Sequence, residues 1–107
     1  MSAEQNEIDV YQTNLFSKQI GKLSDSQAKV VEDEIDKVVA NPSMGEQKVG
    51  DLSHLWVHKF KVGESLVLLG YSWIEDKLEL YLLNIGSHEN FYQEVKNRRK
   101  ADLKFMK

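Results

Sequence analysis

The chain has 107 residues, 41% of them hydrophobic, and a net charge of −3 at pH 7, which suits one domain, residues 1–107, with a single modest core. Because it contains no cysteine, disulfide bonds and thiolate metal sites are excluded, and a reducing cytoplasm is the expected location. No stretch approaches the roughly 20 apolar residues of a membrane-spanning helix, and Met1 to Val10 lacks the apolar run of a signal peptide.

The first part of the chain predicts a short strand followed by two helices. Residues 8–11 alternate like a strand, and apolar residues then recur at helical spacing up to Gly21. A second helix is expected to begin near Ser24, whose hydroxyl is a helix-capping group, and to end just before Pro42, which disfavours helix at the preceding residue. The segment 41–51 is predicted to be a loop.

From Leu55 onward the period of the apolar residues changes to two, which predicts strands. The first strand places Trp56, His58, Phe60 and Val62 on one face and Leu55, Val57, Lys59 and Lys61 on the other. Gly63 and Glu64 predict a hairpin turn into a second strand, 65–73, and a third strand follows at 78–85.

These elements predict an α+β fold. The expected architecture is a small antiparallel sheet, formed by the N-terminal strand and the three-stranded meander, packed against the two N-terminal helices, with a C-terminal helix from Glu89 to about Lys104. Because the second and third meander strands are strongly apolar, we expect them at the centre of the sheet, with helices covering at least one face.

One short block, Gly86 to Tyr92, carries the most chemical information. It places His88 and Tyr92 four residues apart where a strand becomes a helix, and residues at this spacing lie on one helix face. An imidazole beside a phenol at the end of an element can transfer protons near neutral pH. The same pattern also fits an ordinary helix start that buries one aromatic ring.

Charge is distributed unevenly along the chain. Residues 1–53 contain 5 Lys against 10 Asp and Glu, whereas residues 54–107 contain 9 Lys and Arg against 7 Asp and Glu. The overall acidity argues mildly against nucleic acid as a partner, yet the basic half is the one that contains His88. Chance asymmetry between solvated faces explains the same counts.

The order of elements, together with three short segments, resembles the RelE/ParE superfamily of bacterial type II toxins, most closely the ParE-like branch. The segments are Gly50-Asp51-Leu52, the strand Val57 to Lys61 and the block Gly86 to Tyr92, and the resemblance spans roughly Val10 to Lys104. It implies a single toxin domain, held inactive by a cognate antitoxin. The last block is similar to the glycine, small residue, histidine and aromatic signature of the ribosome-dependent RNases in this superfamily.

The resemblance implies RNA cleavage without metal or cofactor, in which the 2′-hydroxyl attacks the adjacent phosphate. Such a step needs an acid, a base and cations near the phosphate. The implied catalytic residues are His88 and Tyr92, and the implied RNA-binding residues are Lys59, Lys61, Tyr71, Lys96, Arg98 and Arg99. Each has a plainer interpretation, such as a helix cap, a packing ring or a solvated lysine. His58 is expected in the core with one hydrogen bond, and His54 in an exposed loop.

Two features depart from the superfamily pattern. A pI of about 5.6 is low for proteins that must bind the ribosome, and the middle strand, 65–73, has no Arg or Lys, so the arginine-rich triad of well-known members has no counterpart there. If this protein cleaves RNA, His88 must therefore contribute more to catalysis than the corresponding residue does in members that have the arginine-rich triad.

The sequence is therefore compatible with three functions. The first is an mRNA endonuclease toxin acting at the ribosome, the second a toxin that inhibits DNA gyrase, and the third a catalytically inactive module that binds antitoxin. An antitoxin is the expected protein partner in each, with the groove between the helices and the sheet as a natural place for an amphipathic helix.

Overall fold

The computed structural model describes residues 7–107, so the expectation about the N-terminal segment lies largely outside the described residues. The strands are β1 (Asp9–Gln12), β2 (Glu46–Gln47), β3 (Trp56–Val62), β4 (Ser65–Ile74) and β5 (Glu79–Ser87). The α-helices are α1 (Asn14–Gly21), α2 (Asp25–Ala40) and α3 (His88–Phe105), and 3-10 turns lie at Pro42–Met44, Gly50–Leu52 and Glu75–Lys77. The predicted α+β class is confirmed.

The strands form one five-stranded sheet in the order β1-β5-β4-β3-β2. The expected antiparallel pairing is confirmed for the meander β3-β4-β5, but it was wrong for the N-terminal strand: β1 runs parallel to β5, with Asp9 opposite Glu79 and Gln12 opposite Leu82. Strands joined by a short hairpin must run antiparallel, whereas strands joined by a long connection can also run parallel. Since β1 and β5 are far apart in the chain, the connection between them does not impose an antiparallel direction. The two-residue β2 lies in the segment predicted as a loop, where it is too short to show a period.

Helices cover both faces of the sheet, and each face has its own core. On one face Phe16 of α1 and Val31 and Val38 of α2 pack against Phe60 and Leu69 of the sheet. On the other face Phe91 and Val95 of α3 pack against Val57, Leu68 and Leu83. The alternation of β3 is therefore confirmed, since Phe60 faces α1 and α2 while Val57 faces α3.

Local hydrogen bonds explain where two of the helices begin. The Thr13 hydroxyl accepts a bond from Phe16 N at 3.0 Å and donates to Leu83 O at 3.1 Å, which starts α1 and ties it to β5. Ser24 and Gln27 form a capping box at the start of α2. Ser87 precedes α3 but makes no side-chain capping bond.

A glycine in β4 lets α3 approach the sheet closely. A Cβ atom on Gly70 would lie 2.7 Å from Cζ of Phe91 and 3.0 Å from a methyl carbon of Leu55, closer than van der Waals contact allows. The register between β4 and β5 also shifts between Gly70 and Tyr71, as a β-bulge does. Among the helices of residues 7–107, none is both long and apolar enough to cross a membrane.

Candidate functional site

The first turn of α3 brings together the two side chains singled out by the sequence. His88 is the first residue of α3 and is exposed, whereas Tyr92 is half-buried against the core on that face. Their ring centroids are 6.2 Å apart with an interplanar angle of 79°, an edge-to-face contact. Phe91 supports the tyrosine from the core side, with ring centroids 5.1 Å apart. The imidazole thus stands at the surface beside a phenol whose ring packs on one side against the core.

Both predicted lysines of β3 lie on the α3 side of the sheet. Lys59 and Lys61 are exposed and alternate with Phe60, which faces the opposite core. Lys59 is opposite Leu68, and Leu68 in turn is opposite Gly86, two residues before His88. Two strand spacings separate the backbones of Lys59 and Gly86 by about 10 Å. The lysines and the histidine therefore border the same surface.

The surface between them is open, and we call it the hollow: the space over Gly86 between His88 and the pair Lys59 and Lys61. A Cβ atom added to Gly86 would meet no atom within 4 Å, and Leu66, on the same face of β4, is 40% exposed. The floor of the hollow is accordingly formed by Gly86 and Leu66, with the imidazole at one side and the ammonium groups at the other.

The groups that border the hollow are of the kinds that phosphodiester chemistry uses. The first amides of a helix have no intrahelical partner and favour anions, and Ser87 leaves them uncapped by its side chain. Lysine ammonium groups supply positive charge to a phosphate. An exposed imidazole within reach can give or take the proton of a hydroxyl.

The structure contradicts the RNA-binding role that the resemblance implied for Tyr71. Tyr71 is fully buried in the core shared with α1 and α2, which is the face opposite to the hollow. Its hydroxyl donates to Pro42 O at 2.6 Å and accepts from Gly45 N at 3.0 Å, so it ties the loop after α2 to the sheet. Burial raises the pKa of this hydroxyl, and the Gly45 amide opposes that change.

The basic residues of α3 lie further along the helix than the hollow. Lys96 is exposed and lies on the stripe of His88 and Tyr92. Arg99 is directed at the protein itself, since its Nε donates to Asp51 O at 2.7 Å. Arg98 is 37% exposed and lies 3.8 Å from Asp102, a carboxylate that is 1% exposed. Both arginines thus have structural contacts, and Lys96 is the one that projects freely into solvent.

The two other histidines lie away from the hollow. His58 Nε2 is 2.7 Å from Oε1 of Glu34, and this bond, followed by the contact with Lys37, lowers the pKa of the Glu34 carboxyl. The structure thereby links β3 to α2, as the core interpretation of His58 expected. His54 is half-buried rather than exposed, with Nε2 out of contact with water and without a hydrogen-bond partner, and burial, then Arg99, lowers its pKa.

Sequence reasoning missed one residue of the site, Lys48. Its Nζ lies 5.4 Å from the centroid of the Tyr92 ring and 3.1 Å from Oε1 of Glu46. The only sequence signal was a lysine in a predicted loop, and its contact with Tyr92 joins positions far apart in the chain. Across residues 7–107 there is no group of three or more His, Cys, Asp or Glu side chains that could hold a metal ion.

The three-layer fold has counterparts among solved toxin structures. A free arginine-to-alanine double mutant of the E. coli toxin RelE has a TM-score of 0.66 and 19% identity, covering 85% of this chain and 96% of that one. A chain of the intact E. coli RelBE toxin-antitoxin complex has a TM-score of 0.62 and 17% identity, covering 76% of this chain and 96% of that one. At these identities the likeness establishes the fold alone. None of the curated proteins compared with the chain matches it.

The family itself follows from a match in sequence. Residues 10–96 match the model of the ParE-like toxins of type II bacterial toxin-antitoxin systems. The chain belongs to this family, and it is a toxin of a type II toxin-antitoxin system.

Proposed function

We propose that this toxin is a metal-independent endoribonuclease that cleaves mRNA at the ribosome. The observation that carries the proposal is the position of His88, exposed and in edge-to-face contact with Tyr92, across an open hollow from Lys59 and Lys61. In this proposal acid-base chemistry and phosphate binding share one surface.

In the proposed reaction the 2′-oxygen of one nucleotide attacks the adjacent phosphorus. The bond from phosphorus to the 5′-oxygen breaks, leaving a 2′,3′-cyclic phosphate and a free 5′-hydroxyl, so no water or metal is consumed. His88 accepts the proton of the 2′-hydroxyl and delivers a proton to the departing 5′-oxygen, so the protons balance, and the hydroxyl of Tyr92 orients the reacting group. Lys59 and Lys61 neutralise the charge that builds on the phosphate, while Lys96 contacts the flanking backbone.

The test is cleavage of ribosome-bound mRNA by the purified protein. We expect His88→Ala to slow cleavage by about 100- to 10,000-fold, the usual worth of a general acid or base, and Tyr92→Phe to slow it less. Lys100→Ala is the matched control, because Lys100 is exposed on the same helix but lies about 18 Å along the helix axis from His88. Each variant must keep the unfolding curve of the wild type.

The chemistry of the product ends provides a second test. Attack by the 2′-hydroxyl requires cyclic phosphate ends, which a phosphatase does not remove until the ring is opened by acid. Full cleavage by His88→Ala, or products with 5′-phosphates, would reject the site. Growth arrest with intact protein synthesis and an induced DNA-damage response would instead favour inhibition of DNA gyrase, and no growth effect at high expression would favour an inactive antitoxin-binding module.

We also propose a cognate antitoxin as the protein partner. The RelE structures compared with this chain include a complex with the antitoxin RelB and one with a RelB peptide. An apolar cavity of about 210 Å³ lies between the helices and the end of the sheet, lined by Leu23, Val31, Val67 and Ile85 among others, and suits the apolar face of a helix. Co-expression with the product of the adjacent open reading frame is expected to restore growth; unrelieved arrest would contradict this assignment.

A further inference from the structure

Lys48 occupies an unusual position for a lysine. Its side chain is only 22% exposed, although lysine side chains are seldom buried. Its backbone amide donates to Leu55 O at 2.9 Å, directly after β2 pairs with β3. Because the register fixes the backbone at this point, the side chain is directed onto the face that α3 covers.

The ammonium group is held between a carboxylate and an aromatic ring. Glu46 Oε1 accepts a hydrogen bond from Nζ at 3.1 Å, and the centroid of the Tyr92 ring lies 5.4 Å away, within the range of cation-π attraction. Burial lowers the pKa of Lys48, but Tyr92 and Glu46 raise it more, so the net direction is upward. The group therefore stays charged at neutral pH.

We propose that Lys48 is a positioning residue of the cleavage site, whose ammonium group holds the Tyr92 ring at the angle that places it beside His88. Tyr92 is only half-buried and has Phe91 on one side, so packing alone does not fix every side of its ring. The contact with Lys48 restrains it from the edge of the sheet. This inference rests on the proposed function of His88 and Tyr92.

A positioning residue must act through the residue it holds, and a double-mutant cycle measures that dependence. We expect Lys48→Met, which keeps the apolar stem and removes the charge, to lower kcat by roughly 2- to 30-fold, the range of a cation-π contact. KM should change little, and Lys48→Arg should recover most of the rate. In a Tyr92→Ala background, Lys48→Met should cause no further loss.

Two matched lysines calibrate the measurement. Lys59→Met removes a charge proposed to bind the phosphate and to neutralise it in the transition state, so its effect should appear in both kcat and KM and, unlike that of Lys48→Met, should add to that of Tyr92→Ala. Lys18→Met removes an exposed charge of α1, on the opposite face of the sheet, and should leave cleavage unchanged.

The outcomes separate this inference from the proposed function. If Lys48→Met matches Lys18→Met, or if its effect adds in full to that of Tyr92→Ala, then Lys48 does not position the tyrosine and the inference is overturned. If instead His88→Ala cleaves at the wild-type rate, the proposed nuclease site itself fails. A loss of kcat in Lys48→Met that disappears without Tyr92, together with inactive His88→Ala, supports both.

Discussion

Removing one oxygen atom from the core should destabilise this protein strongly. Tyr71→Phe keeps the buried ring, which stacks on Trp56 with centroids 6.3 Å apart, but deletes the hydroxyl that bonds Pro42 O and Gly45 N. The carbonyl and the amide lose their partner where the loop after α2 meets the sheet. Because the Tyr71 ring is buried and does not form part of the surface, any change in the unfolding free energy reports on the lost hydrogen bonds.

The magnitude follows from those two hydrogen bonds. A buried hydrogen bond contributes about 1 kcal/mol net, and a buried group left without a partner costs about 1 to 3 kcal/mol. We therefore expect the free energy of unfolding to fall by about 2 to 4 kcal/mol, which for a domain of this size lowers Tm by roughly 10 to 20 °C.

Urea denaturation followed by tryptophan fluorescence and thermal unfolding by circular dichroism both measure this change. Tyr11→Phe is the matched control, since Tyr11 is 41% exposed and its substitution should alter the unfolding free energy by less than about 0.5 kcal/mol. If Tyr71→Phe is as stable as Tyr11→Phe, the hydroxyl does not anchor the loop and the reasoning is refuted.

Two further predictions concern α3. Burial raises the pKa of Asp102 to about 6 from 3.8, against the opposing effect of Arg98, so the folded state favours the protonated acid and stability should increase as pH falls from about 6 towards 4. Asp102→Asn should thus be more stable than wild type at about pH 7, by at most about 3 kcal/mol, and the difference should shrink near pH 4; an advantage independent of pH in urea titrations would contradict this. Gly70→Ala would place a methyl group 2.7 Å from Phe91, so the unfolding free energy should fall by about 1 to 3 kcal/mol, and an unchanged urea midpoint would show that α3 shifts without cost.

Features that depend on local spacing could be predicted well from the chain. The hairpin at Gly63 forms as expected, with Gly63 at a φ of 63° and Val62 paired with Ser65. His88 and Tyr92 meet because residues four apart share a helix face. Local periodicity also placed Lys59 on the face opposite Phe60.

Features that depend on distant partners could not be predicted in this way. The strand containing Tyr71 is so apolar on both faces that alternation does not show which core its ring enters. Arg99 looks like a free basic residue until Asp51, 48 residues earlier, is brought beside it. Lys48 lies in a segment whose apolar residues show neither helical nor strand periodicity, so no local pattern relates it to Tyr92.

The amino-acid sequence by itself determined the three α-helices and the four longer strands, the two-faced character of β3 and the pairing of His88 with Tyr92, because all of these rest on backbone periods of two or about four residues. Only the tertiary structure decided that β1 runs parallel to β5, that Tyr71 anchors a loop, and that Lys48 lies over Tyr92. These contacts join distant segments, and their geometry is set by how two helical layers pack on one sheet.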